Sequence, residues 1–198
     1  MPSNLVIVIG AIFAVAIVVV IARIMLSRKP DVDFSVGEKI AIVLDHAGNP
    51  RIQVKCTFSA HKSQVTIGRM RLVLNRTGQF VAHQFIEDFA NPYVGAKATI
   101  TSMQVDKEWH EGIEFSLSGE TAPVWNHGNN LLLVKIWLDQ NASEHSPSKM
   151  YRIDFRVDDH AIARLALKGS SPECLYATVQ SLRQVYPAVS FTLSPSRI

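Results

Sequence analysis

Arg51-Ile-Gln-Val-Lys-Cys-Thr-Phe58 alternates polar and apolar side chains without a fault, placing Ile52, Val54, Cys56 and Phe58 on one side of an extended chain. Tyr151, Ile153, Phe155 and Val157 keep the same period, as do Ile113, Phe115 and Leu117, and Val189, Phe191 and Leu193. Successive side chains of a strand point to opposite faces, so a period of two marks a strand with one buried face. One-sided burial of this kind belongs to antiparallel sheets.

In Gln64-Val-Thr-Ile-Gly-Arg-Met-Arg-Leu-Val-Leu74 the apolar phase runs Val65, Ile67, then Met70, Leu72, Leu74, slipping by one residue at Gly68. A β-bulge at the glycine would restore the register. Turn signals separate the runs at His46-Ala-Gly-Asn-Pro50, Asn75-Arg-Thr-Gly78, Asn91-Pro92, Asn126-His-Gly-Asn-Asn130 and Ser146-Pro-Ser148. This spacing predicts an antiparallel β-sandwich of the immunoglobulin-like class, built from about eight short strands.

One segment departs from the period. Ser170-Ser-Pro-Glu173 resembles a helix start, and Leu175, Val179, Leu182 and Tyr186 follow at helical spacing before Pro187. It predicts a C-terminal helix over 171–186, followed by a final strand. Asp158 to Gly169 fits a short helix or a strand equally well.

The N-terminus obeys a different rule. Met1 to Ala22 contains no ionisable side chain, and residues 5–26 are apolar except for Gly10 and Arg23. Such a length matches a hydrocarbon core of about 30 Å at 1.5 Å per residue. MPSN lacks a basic residue and IMLSRKP offers no small-residue cleavage site, so a single transmembrane helix is expected rather than a signal peptide. Arg23, Arg28 and Lys29 then mark the membrane interface, and by the positive-inside rule they place the C-terminal domain in the cytoplasm. The expected organisation is a tail over 1–4, a transmembrane helix over 5–26, a basic juxtamembrane tether over 27–37, and one sandwich domain over 38–198.

Charge narrows the function. All 17 acidic residues lie beyond Lys29, as do all but three of the 20 lysines and arginines, so the domain is formally neutral. A nucleic-acid partner is therefore not expected. Two cysteines, Cys56 and Cys174, are too few for a disulfide scaffold; reduced thiols are expected, with a single bridge as the alternative for an oxidising compartment. Asn75-Arg-Thr and Asn141-Ala-Ser match the glycosylation pattern, which matters only in a eukaryotic lumen.

His46, His61, His83, His110, His127, His145 and His160 form no metal-binding motif, and no cofactor is expected. Cys174, with His160 and Asp158 or Asp159 nearby, is the one candidate thiol nucleophile. GxSxG, GxGxxG and P-loop patterns are absent. Glu87-Asp88, and Glu111 with Glu114, read as solvated surface.

Two kinds of feature suggest an interaction surface. Glu108-Trp-His-Glu111 and Pro123-Val-Trp-Asn-His127 place Trp109 beside His110 and Trp125 beside His127, each pair serving as a loop anchor or as a cap on the core. Arg51 and Lys55, Arg69 and Arg71, and Arg152 and Arg156 would form a basic stripe if their strands align. The function expected from sequence is a membrane-anchored, non-catalytic interaction or assembly subunit, its partners the lipid bilayer and another membrane protein. A tethered enzyme using a thiol or assembled metal site, and an extracytoplasmic ligand-binding sandwich of reversed topology, are the alternatives.

Overall fold

The computed structural model describes residues 17–21, 31–45, 47–61, 64–91, 97–119, 121–138, 143, 145–166 and 172–186. The strands are β1 (Val32–Leu44), β2 (Pro50–Ala60), β3 (Val65–Ile67), β4 (Arg69–Leu74), β5 (Gly78–Ile86), β6 (Ala98–Thr99), β7 (Met103–Val105), β8 (Glu108–Ser118), β9 (Gly128–Trp137), β10 (Lys149–Val157) and β11 (Glu173–Val185). A helix, α1 (Asp159–Ala166), joins β10 to β11.

Eight strands form a closed antiparallel barrel in the order β4-β9-β10-β11-β1-β2-β8-β5, and β5 pairs back onto β4 from Arg71 opposite Val81 to Leu74 opposite Gly78. This corrects the expected sandwich. Alternation reports which side chains face inward, and a closed sheet satisfies it as well as two facing sheets do. Closure comes instead from local irregularities that coil long strands. Two extra residues bulge from β1 between Val36 and Ile40, one from β5 between Ala82 and Gln84, and one from β11 opposite the Asp154–Phe155 step.

The inward phase of the alternating runs among the described residues forms the core: Ile52, Val54, Cys56 and Phe58 on β2, Ile113 and Phe115 on β8, and Tyr151, Ile153, Phe155 and Val157 on β10. Phe58, Phe80, Phe115 and Phe155 are at most 1 % exposed and fill the interior. Eight strands leave a lumen just wide enough for such side chains. One end is capped by α1 through Ala161 and Ile162, which Asp158 starts by accepting a hydrogen bond from the Ala161 amide (2.7 Å). The other end is capped by the two-stranded β3–β7 sheet, whose Val65, Ile67, Met103 and Val105 join the core. The phase slip at Gly68 is real but is no bulge. There the chain leaves β3 for β4, with the Gly68 amide bonded to the Trp137 carbonyl (2.9 Å).

The expected helix over 171–186 is also corrected. Residues 173–185 are β11, set between β10 and β1. Leu175, Ala177 and Val179 face inward; the bulge then shifts the phase, and Leu182 becomes the next inward residue, opposite Ile153. A strand that changes phase once reproduces the 175, 179, 182 spacing of a helix.

The single-pass transmembrane assignment fails as well. The described helical stretch within 5–26 is 17–21, and among the described residues no helix is long and apolar enough to cross a membrane. The membrane-anchored localisation and the orientation inferred from it are withdrawn. The rest of 5–26, the flanking Arg23, Arg28 and Lys29, and the run Val189, Phe191, Leu193 lie outside the described residues. The barrel itself begins at Val32, inside the stretch expected to be a tether.

Candidate functional site

Because the interior is filled, the chemistry open to a partner lies on the outer wall. On β4, β9 and β10 the core takes Leu72, Val134 and Ile153 and their alternates, so the intervening residues face outward. Strand pairing aligns these in two adjacent rows. Val73 lies opposite Leu133, Leu133 opposite Arg152, and Arg152 opposite Arg183; beside it, Arg71 lies opposite Lys135, Lys135 opposite Met150, and Met150 opposite Val185. The face is thus a checkerboard in which the basic pairs Arg71–Lys135 and Arg152–Arg183 lie on one diagonal and the apolar pairs Val73–Leu133 and Met150–Val185 on the other.

Two of these cross-strand neighbours, Arg71 with Lys135 and Arg152 with Arg183, are pairs of like charge. Directly opposed like charges destabilise a sheet. Asp154 offsets the second pair. Arg152 donates to its Oδ1 from Nε and Nη2 (2.8 and 2.6 Å), Ser181 donates to Oδ2 (2.8 Å), and the Arg183 guanidinium lies 3.8 Å away. Burial pushes the Asp154 pKa up, but the Arg152 and Ser181 hydrogen bonds and both guanidinium charges outweigh it and hold the carboxyl below its ordinary range. Along the Val73–Leu133–Arg152 row a cleft of about 200 Å³ is lined by these three with Arg76, Leu131 and Val185.

Arg69 and Arg71 belong to this wall, and Arg152 and Arg156 share it. Arg69 stacks over the buried Trp137 ring, 4.4 Å from its centroid, and Arg71 donates to Gln79 Oε1 (3.3 Å). Arg51 and Lys55 do not join them. They lie on β2, across the barrel, where Arg51 donates to Glu114 Oε1 (3.1 Å).

The two tryptophans are set at opposite ends. Trp109 is on β8 rather than in a loop, half-buried, with ring centroids 5.6 Å from Phe58 and 5.4 Å from Phe85. Trp125 packs on the core near the α1 end, in a loop held by Asn75, whose Nδ2 donates to the Val124 carbonyl (2.8 Å) and to Asn130 Oδ1 (2.7 Å). The Asn75 side chain is therefore occupied in a turn where its own φ is 46°. His110 is exposed, with Nδ1 2.7 Å from Thr57 Oγ1, and His127 is exposed, with Nδ1 3.1 Å from Asp159 Oδ1. These four residues form no common site.

A second groove, about 420 Å³, opens where β1 bulges, with Gly37, Lys55, Thr57, His110 and Gly112 among its lining. Next to it Lys39 lies over the Tyr176 ring and Lys55 over Phe89. Glu38, Glu87 and Glu111 border the two hollows, so their charge is mixed.

Sequence reading missed Glu114. It is outward-facing yet buried, accepting hydrogen bonds from Arg51, Gln53 (2.8 Å) and Gln84 (2.9 Å), while Gln53 Oε1 accepts from the Ala90 amide (2.7 Å). The segment after β5 reaches this cluster through Ala90, and alternation carries no signal of that. Among the described residues no group of three or more His, Cys, Asp or Glu converges to hold a metal ion. Cys56 and Cys174 are both free; their strand partners, Val36 and Val43, lie at opposite ends of β1. No family model, no curated protein and no solved structure matches this chain, and the outer basic and apolar face of β4, β9, β10 and β11 is its candidate site.

Proposed function

We propose that this protein is a non-catalytic interaction module whose barrel binds an acidic segment of a partner protein on the outer face of β4, β9, β10 and β11. The observation that carries this reading is the opposition of Arg152 and Arg183 on adjacent strands, with Asp154 as their shared counter-charge and Lys135 on the next strand. Surplus positive charge held in direct opposition is relieved by an anionic partner. The intervening Val73, Leu133, Met150 and Val185 favour a protein segment, which brings apolar side chains of its own.

A thiol enzyme finds less support. Burial, opposed by the Tyr176 hydrogen bond and aided by the smaller effect of the Glu173 charge, pushes the Cys174 pKa up to about 11, so the thiol stays protonated near neutrality. Burial pushes the Cys56 thiol higher still.

Fluorescence anisotropy with a labelled oligoglutamate peptide and the full chain tests the proposal. Binding should weaken as salt rises, and Lys135→Glu with Arg183→Glu should weaken it by about tenfold or more while leaving the melting temperature nearly unchanged. Equal affinity of the parent and the charge-reversed chain, or tighter binding of a single-stranded oligonucleotide than of oligoglutamate, would overturn it.

A further inference from the structure

The barrel wall is not equally closed along its length. β1 pairs with β11 from Leu44 opposite Glu173 to Lys39 opposite Thr178; beyond the Gly37–Glu38 bulge it pairs, among the described residues, with β2 alone. β11 continues to Val185, and among the described residues its outer half is paired with β10 alone, from Ser181 opposite Asp154 to Val185 opposite Met150. The seam is sealed underneath by side chains: Lys149 Nζ meets Asp31 Oδ1 at 2.5 Å, the Tyr151 hydroxyl donates to the Val32 carbonyl (3.3 Å), and Phe34 packs on Tyr151. Among the described residues Ser181–Val185 is therefore an edge, and every second residue of an edge strand turns its N–H and C=O away from its neighbour.

This edge is continuous with the basic face, because Arg183 and Val185 belong to both. We infer that the acidic partner segment binds in extended form, adding a strand to the Ser181–Val185 edge of β11; this rests on the proposed function and specifies how the partner is held. In such an addition the outward phase of the guest strand lies beside Arg183, and the inward phase lies beside Leu182, which packs on the core. The chemistry that fits is alternation of carboxylate and aliphatic side chains.

The probe is a short peptide of alternating glutamate and valine, made unmodified and in two forms N-methylated on one or the other set of alternate amides. All three carry the same charge. Strand addition predicts that one methylated form binds like the parent peptide and the other about tenfold weaker, having lost two or so edge hydrogen bonds. Amide hydrogen exchange on the full chain should show alternate amides of Ser181–Val185 exchanging fast without peptide and slowing when it binds. If both methylated forms bind like the parent and charge reversal still weakens binding, the face binds acidic segments without adding a strand, and this inference fails alone. If no form binds, both readings fail. If every amide of Ser181–Val185 is already slow in the free chain, the edge is occupied and the inference is overturned.

Discussion

On the proposed function, Asp154 tunes how strongly the basic face attracts an acidic partner. Its carboxylate compensates Arg152 and Arg183, so removing it should trade stability for affinity. We expect Asp154→Asn to lower stability by about 1–3 kcal/mol, since two guanidinium groups lose a charged partner, and to raise affinity for oligoglutamate; thermal melts and anisotropy measure the two effects. The pH dependence has a definite sign. The folded pKa lies below the ordinary 3.8, so the stabilisation is present above that value and lost as pH falls through the folded pKa. Melting temperature should thus decline less steeply on acidification in the Asn variant. At this scale the core was legible in the sequence, because Ile52, Val54, Cys56 and Phe58 needed only their alternation to be placed inside. Glu114 and Asp154 were not, since what surrounds an outward residue depends on neighbouring strands and covering loops.

The segment 173–185 shows why an element can be misread while most of its inward residues are correctly chosen; of the four apolar positions picked out, Tyr186 alone is exposed. Leu175, Val179 and Leu182 do face the core, as expected, but from a bulged strand. Ala177, 1 % exposed, is what separates the two readings: a strand puts it inside with Leu175, whereas the helical spacing passes over it. Ala177→Leu should therefore destabilise the protein by about 1–3 kcal/mol through overpacking, read as a lowered denaturant midpoint; a change of a few tenths would contradict the strand. Asp158 to Gly169, open to either reading in the sequence, is helical over Asp159–Ala166, and its Ala161 and Ile162 enter the core. The β1 bulge had no sequence signal beyond Gly37, yet it frees the outer half of β11 from β1.

In the whole molecule, closure of the sheet moves function to the outside. A filled eight-stranded barrel offers its partners a wall, and strand order decides which charges share it. Arg69, Arg71, Arg152 and Arg156 meet on one wall because β9 lies between β4 and β10, while Arg51 and Lys55 are carried to the other side. That order is a property of long-range pairing, which no single run of residues records. It also separates Trp109 from Trp125, whose sequence contexts look alike. The measurement that tests the central claim most directly is nuclear magnetic resonance mapping of the full, isotope-labelled chain titrated with oligoglutamate. The perturbed amides should cluster on β9, β10 and β11 around Leu133, Arg152 and Arg183, with Lys55 and His110 unmoved. Perturbation centred on the Lys39, Lys55 and His110 hollows, or spread evenly over the barrel, would contradict it.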